Sequence, residues 1–136
     1  MIENVLKLIV SVLIGFILGR ERKKHAKEAG GSRTLAIVSL ASCLLAILTL
    51  EIQKLNPTVH NFTRLLAYGI SGISFLGAGI IWKKNGEIEG LTTASTLWIL
   101  LPINYCIGLG FWVYGFVTTI LTFILLESKY FLTHEK

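Results

Sequence analysis

Three groups of residues place polar chemistry where an apolar segment starts or stops. The run Arg20-Glu21-Arg22 follows the apolar stretch that ends at Gly19, and an Arg-Glu-Arg cluster at a membrane boundary can pair internally and tie a loop to its helix. Arg33 and Thr34 open the next apolar stretch behind Gly30 and Gly31. A cation at a helix N-terminus is opposed by the helix dipole, so Arg33 is expected to have a carboxylate partner, with Glu21 and Glu28 the candidates. By spacing alone it is equally a positive-inside anchor. The third group is Gly90-Leu91-Thr92-Thr93-Ala94-Ser95-Thr96-Leu97-Trp98. Its hydroxyls can cap free amides or bond to neighbouring helices, and a glycine followed by threonines at a helix start also suits an anion or a carbonyl; capping is the simpler reading.

Catalysis is not legible in these groups. The chain has no aspartate, and its carboxylates are the glutamates at 3, 21, 28, 51, 87, 89, 127 and 135. No Ser/His/Asp set, paired intramembrane carboxylates or phosphate loop can be assembled, and the glycines from Gly69 to Gly79 lack the preceding strand that a dinucleotide motif needs. Cys43 and Cys106 sit inside apolar runs without CxxC or Cys/His spacing and read as packing residues. His60, alone in a loop, reads as solvated. The expectation is a non-enzyme with no catalytic, cofactor-binding or metal-binding residues.

The elements that must carry these groups are membrane helices. The chain has 136 residues, 53% hydrophobic and 15% charged, with a mean hydropathy of +0.68. A bilayer core of about 30 Å takes about 20 helical residues to cross, and apolar runs near 2–19, 34–50, 65–82, 91–110 and 111–126 match that length. The expected fold is all-α: one multi-pass bundle over residues 1–136 with about five spans. Pro102, Asn104, Gly108 and Gly110 leave almost no loop between the last two, so four spans with a kinked or re-entrant end is the alternative. No basic region precedes the first run and no cleavage pattern follows it, so it is read as a permanent span.

Lys and Arg cluster after the first span (Arg20, Arg22, Lys23, Lys24, Lys27, Arg33), after the third (Lys83, Lys84) and in the tail (Lys129, Lys136). Only Lys7, Lys54 and Arg64 fall on the other side. This bias puts the N-terminus outside and the C-terminus in the cytoplasm. It also explains the net charge of +5 without nucleic acid, since the basic residues flank spans. Lys7, within the first span, is expected to snorkel to the outer headgroups, and Asn56-Pro57 marks a turn in the outer loop from 51 to 64.

Glycines supply the contact surfaces. Gly15 and Gly19 form a small-xxx-small pair, and Gly69, Gly72 and Gly79 fall within about 80° of one another on a helix. Such faces mostly serve close helix packing, here within the bundle, with a membrane partner or in a homo-oligomer.

In order, GxxxGRER, AGGSRT, GISFLGAGIIW and GLTTASTLW resemble the membrane domain of the MgtC/SapB family over about residues 10 to 126. The family's motif positions correspond to Gly19, Glu21, Arg22, Gly30, Arg33, Thr34, Gly72, Phe75, Leu76, Gly77, Ala78, Gly79, Gly90, Leu91, Thr92, Thr93, Ala94 and Trp98. The AGGSRT turn is one residue longer than the commoner form. Thr92 stands where virulence-associated members carry asparagine, and Ile99 where they carry cysteine. The chain ends soon after the last span, which matches a short form without the ACT-like domain of longer relatives.

The resemblance implies a non-enzymatic regulatory protein of the bacterial inner membrane. Its family is linked to magnesium homeostasis under limitation and to virulence, and its best-known members inhibit the F-type ATP synthase. On that reading the partners are the lipid bilayer and a membrane complex, the ATP synthase or another. The interaction residues are Gly19, Glu21, Arg22, Arg33, Thr34, Gly69, Gly72, Gly77, Gly79, Thr92, Thr93 and Trp98. A small-cation (Mg2+) transporter or channel is the alternative, although such a path normally shows ionisable residues within the spans, and here the carboxylates sit at the ends.

Overall fold

A computed structural model describes residues 1–25, 31–56, 62–84 and 86–133. Glu28, Gly30, Pro57 and His60 therefore lie outside the described residues. Within them run five helices, α1 (Ile2–His25), α2 (Ser32–Leu55), α3 (Phe62–Ile80), α4 (Leu91–Leu109) and α5 (Trp112–Thr133). Helices are what hydrocarbon demands, because each satisfies its own backbone polar groups. Helices α1 to α4 are long and apolar enough to cross a membrane, while the apolar part of α5, Trp112–Ser128, is shorter.

Two boundaries differ from expectation. Helix α1 continues past Gly19 to His25, so Arg20-Glu21-Arg22 belongs to the helix and not to a loop. Helix α3 stops at Ile80, and the expected charged loop is a hairpin of two short antiparallel strands, β1 (Trp82–Lys84) and β2 (Glu87–Glu89). Gly90, at φ +86°, returns the chain into α4 and lies so close to the Ile80 carbonyl that no Cβ fits there. At the far end α4 runs unbroken through Pro102 and closes on Gly110, at φ +89°, whose N–H donates to the Ile107 carbonyl at 3.0 Å. This left-handed cap lets α5 begin two residues later.

The bundle is built around α2 and α4. Helix α2 packs chiefly on α1 and α4, whereas α3 and α5 lean mainly on α4. Glycine notches set the spacing. A Cβ on Gly15 would meet Ser39 Oγ, the Leu35 carbonyl and Ala36 Cα, and one on Gly19 would lie 2.6 Å from Ser32 Cα. On the other side of α2, a Cβ on Gly108 would lie 2.7 Å from the Cys43 carbonyl. Leu18, Leu35, Leu97, Leu100, Ile103 and Ile107 fill the centre.

A polar string lies inside this core. Ser11 Oγ is 2.6 Å from the Ser39 carbonyl and 2.8 Å from Asn104 Oδ1, and its one proton is shared between them. Asn104 Nδ2 donates to the Leu100 carbonyl at 2.8 Å. Ser39 Oγ, fully buried, fills the Gly15 notch without a hydrogen-bond partner among the described residues.

Lys7 does not snorkel. It is 5% exposed, pairs with Glu3 at 2.8 Å and brings its ammonium beside Gly110. That position is the C-terminus of α4, where the dipole favours a cation, and this draws the stem inward.

The packing predicts opposite outcomes for two glycines. Gly15→Leu should force α1 from α2 and cost about 1–3 kcal/mol, whereas Gly72→Leu, with nothing within 4 Å of its Cβ position, should stay within about 0.5 kcal/mol. Unfolding in detergent micelles measures both, and equal losses would contradict this packing.

Candidate interaction site

The motif residues separate into a salt-bridged helix end and two grooves. At the helix end Glu21 and Arg22 are both buried, and Arg22 donates Nε to Glu21 Oε2 at 2.5 Å and an Nη to Oε1 at 2.6 Å. A two-toothed guanidinium–carboxylate pair offsets the desolvation of both charges. The internal pairing expected of the Arg-Glu-Arg run is therefore present in the helix, and it engages Glu21. Arg33 and Thr34 are exposed at the start of α2. The expected Arg33–Glu21 pair is absent, and Arg33 has no ion-pair partner among the described residues, because Arg22 is adjacent to Glu21 and takes its carboxylate.

The α3 glycines, of which Gly69, Gly72 and Gly79 share the expected face, divide between two roles. Gly69 faces α4, where a Cβ would come within 2.9 Å of Leu101 Cδ1, and Gly77 packs toward Ala94. Gly72 and Gly79 have nothing within 4 Å of a Cβ. A rotation of 60–80° along α3 is enough to pass from a packed to an open surface.

The hydroxyls of α4 do not cap it. Its N-cap is Gly90, with no side-chain cap bond. Ser95 Oγ instead donates to the Leu91 carbonyl at 2.9 Å and Thr96 Oγ1 to the Thr92 carbonyl at 2.8 Å. A hydroxyl one turn inside a helix reaches the carbonyl behind it more readily than a free amide. Thr93 is buried, Thr92 is exposed, and Trp98 is 48% exposed.

Two open grooves of about 370 Å3 each flank α3. The first lies between α3 and α4 and is lined by Ile73, Ser74, Gly77, Ala78, Ile81, Leu91, Ala94, Ser95 and Trp98. The second is lined by Phe75, Leu76, Ala78, Gly79 and Ile80 of α3, with Leu97 of α4 and Thr34 of α2. Gly77 and Trp98 thus share one groove, Gly79 and Thr34 the other. Among the described residues no three His, Cys, Asp or Glu side chains come together to hold a metal ion.

Sequence reasoning missed the buried Ser11, Ser39 and Asn104. Their signal was the spacing of Lys7, Ser11, Gly15 and Gly19 at four-residue steps, one polar and small stripe on α1.

Comparison with known proteins fits this architecture. The model of the MgtC family matches residues 8–134. Protein SapB of Bacillus subtilis (strain 168) is 32% identical over 133 residues, covering 94% of this chain and 56% of SapB. YhiD of Escherichia coli (strain K12), whose name marks it as a candidate magnesium transporter, is 30% identical over 135 residues, 96% of this chain and 62% of YhiD. Protein MgtC of Salmonella typhimurium (strain LT2) is 34% identical over 110 residues, 81% of this chain and 45% of MgtC. The chain therefore spans roughly half the length of these relatives. No solved structure matches it. With four membrane-length apolar helices and a family match along nearly its whole length, this chain is a multi-pass bacterial inner-membrane protein that belongs to the MgtC family.

Proposed function

We propose that this protein is a non-enzymatic regulator in magnesium homeostasis that acts by docking a helix of another membrane complex into the groove between α3 and α4. One observation carries the reading. The membrane-length stretches of α3 and α4 have the same mean hydropathy, 1.2, yet 11% of the α3 stretch is buried against 56% of the α4 stretch. A helix that faces lipid gains from being the most apolar, and small and hydroxylated faces belong at protein contacts. Helix α4 follows that rule and α3 departs from it, and the groove beside α3 carries Ser74, Gly77, Ser95 and Trp98. The family resemblance points to the F-type ATP synthase as the complex.

A cation path is less well supported. Among the described residues the buried charged side chains are Lys7, Glu21 and Arg22; Glu21 is engaged by Arg22, and Glu3, the partner of Lys7, is exposed. Between Glu3 and Glu21 no carboxylate occurs on α1, and none occurs on the membrane-facing length of α2 or α4 before Glu51. A buried ammonium repels Mg2+, which needs carboxylate oxygens and retained waters.

The test is ATP-driven proton pumping in inverted bacterial membrane vesicles. The protein should lower pumping, and Ser74→Leu with Ser95→Leu, which fill the groove without touching the core, should restore it. Equal inhibition by the double variant would sink the groove, and Mg2+ flux through the purified protein in liposomes would favour transport.

A further inference from the structure

We infer that the second groove, on the opposite side of α3, is a binding site for an anionic phospholipid from the leaflet at the basic end of the bundle. The groove is apolar, open and about 370 Å3 in volume, with Phe75, Leu76, Ile80 and Leu97 in its walls. Gly79 keeps it clear, since a side chain there would project into space that nothing occupies within 4 Å. Those dimensions and that lining suit a stretch of acyl chain and not a hydrated ion.

The rim supplies the charge. Thr34 closes the groove at the start of α2, and Arg33 directly precedes it. Arg33 is exposed and has no carboxylate partner among the described residues, while Glu21 is held by Arg22. A guanidinium at the positive end of a helix is electrostatically unfavourable alone, and a phosphate is the anion that a guanidinium binds best there. Lys83, exposed in β1 three residues beyond Ile80, is a second cation at this end of α3. Its cross-strand partner is Ile88, whereas Lys84 faces Glu87. A basic rim over an apolar interhelical groove is the chemistry that recognises anionic lipid headgroups. The site shares only Ala78 with the groove proposed for a partner helix, so it does not rest on that reading.

Native mass spectrometry of the purified full chain in detergent tests this, with phosphatidylglycerol and phosphatidylcholine of identical acyl chains as probes. Phosphatidylglycerol should be retained severalfold over phosphatidylcholine. Arg33→Gln should lower its retention about fivefold, the effect of one basic residue at an anionic surface. Lys83→Gln should act in the same direction, and Gly79→Leu should lower retention of both lipids by filling the groove. Lys54→Gln, on the last turn of α2, should change neither. Equal retention of the two lipids by the wild type, or unchanged selectivity in both Arg33→Gln and Lys83→Gln, would overturn the site. Full displacement of phosphatidylglycerol by acyl-free glycerophosphate would also overturn it, by assigning the rim to a soluble anion.

Discussion

The close approach of α1 to α2 at Gly15 and Gly19 is the constraint on which the rest of this bundle depends. Two helices meet there with no room for a Cβ, which brings Ser11 within reach of the Ser39 backbone and of Asn104 on α4. In hydrocarbon there is little hydrophobic force between apolar helices, so packing and buried polar bonds decide who touches whom. Helix α2 is notched on one side by Gly15 and Gly19 and on the other by Gly108, and the α1–α2–α4 unit is complete. What remains for α3 is one side of α4, and its own remaining faces stay open.

That division separates a packed core from an open surface within one small chain. The buried interhelical hydrogen bonds lie on α1, α2 and α4, whereas the two grooves lie on either side of α3. Fixed polar contacts also hold the basic end: the Glu21–Arg22 pair on α1, and the Trp82 Nε1–Glu89 bond of 2.8 Å across the hairpin. The hairpin then connects α3 to α4 with backbone so close at Gly90 and Ile80 that the two helices keep a set relation. Grooves held this way are shaped before any occupant arrives, which lowers the ordering cost of binding.

Much of this was legible in the order of residues. Apolar runs of membrane length gave the helices, and the Gly15–Gly19 spacing gave a tight contact, because both signals are local. What escaped depended on neighbours far away in the chain. Lys7 turns inward because Gly110 closes α4 beside it, and nothing within α1 says so. Arg33 does not pair with Glu21, whose carboxylate the adjacent Arg22 engages, while Glu28, the other candidate, lies outside the described residues. Gly69 and Gly72 are three residues apart on one helix, yet only the placement of Leu101 makes the first packed and the second open. The threonines and serine at the start of α4 suggested caps by type, but one turn inside the helix the nearest acceptors are carbonyls.

The most direct measurement is photo-crosslinking in living bacteria from a benzophenone side chain placed at Ser95, in the α3–α4 groove, and at Val117, on the exposed surface of α5. A discrete protein adduct from Ser95 and none from Val117 is the predicted result, since only the first surface is built from small and hydroxylated residues. Lipid adducts alone from both positions would contradict a protein partner in the groove.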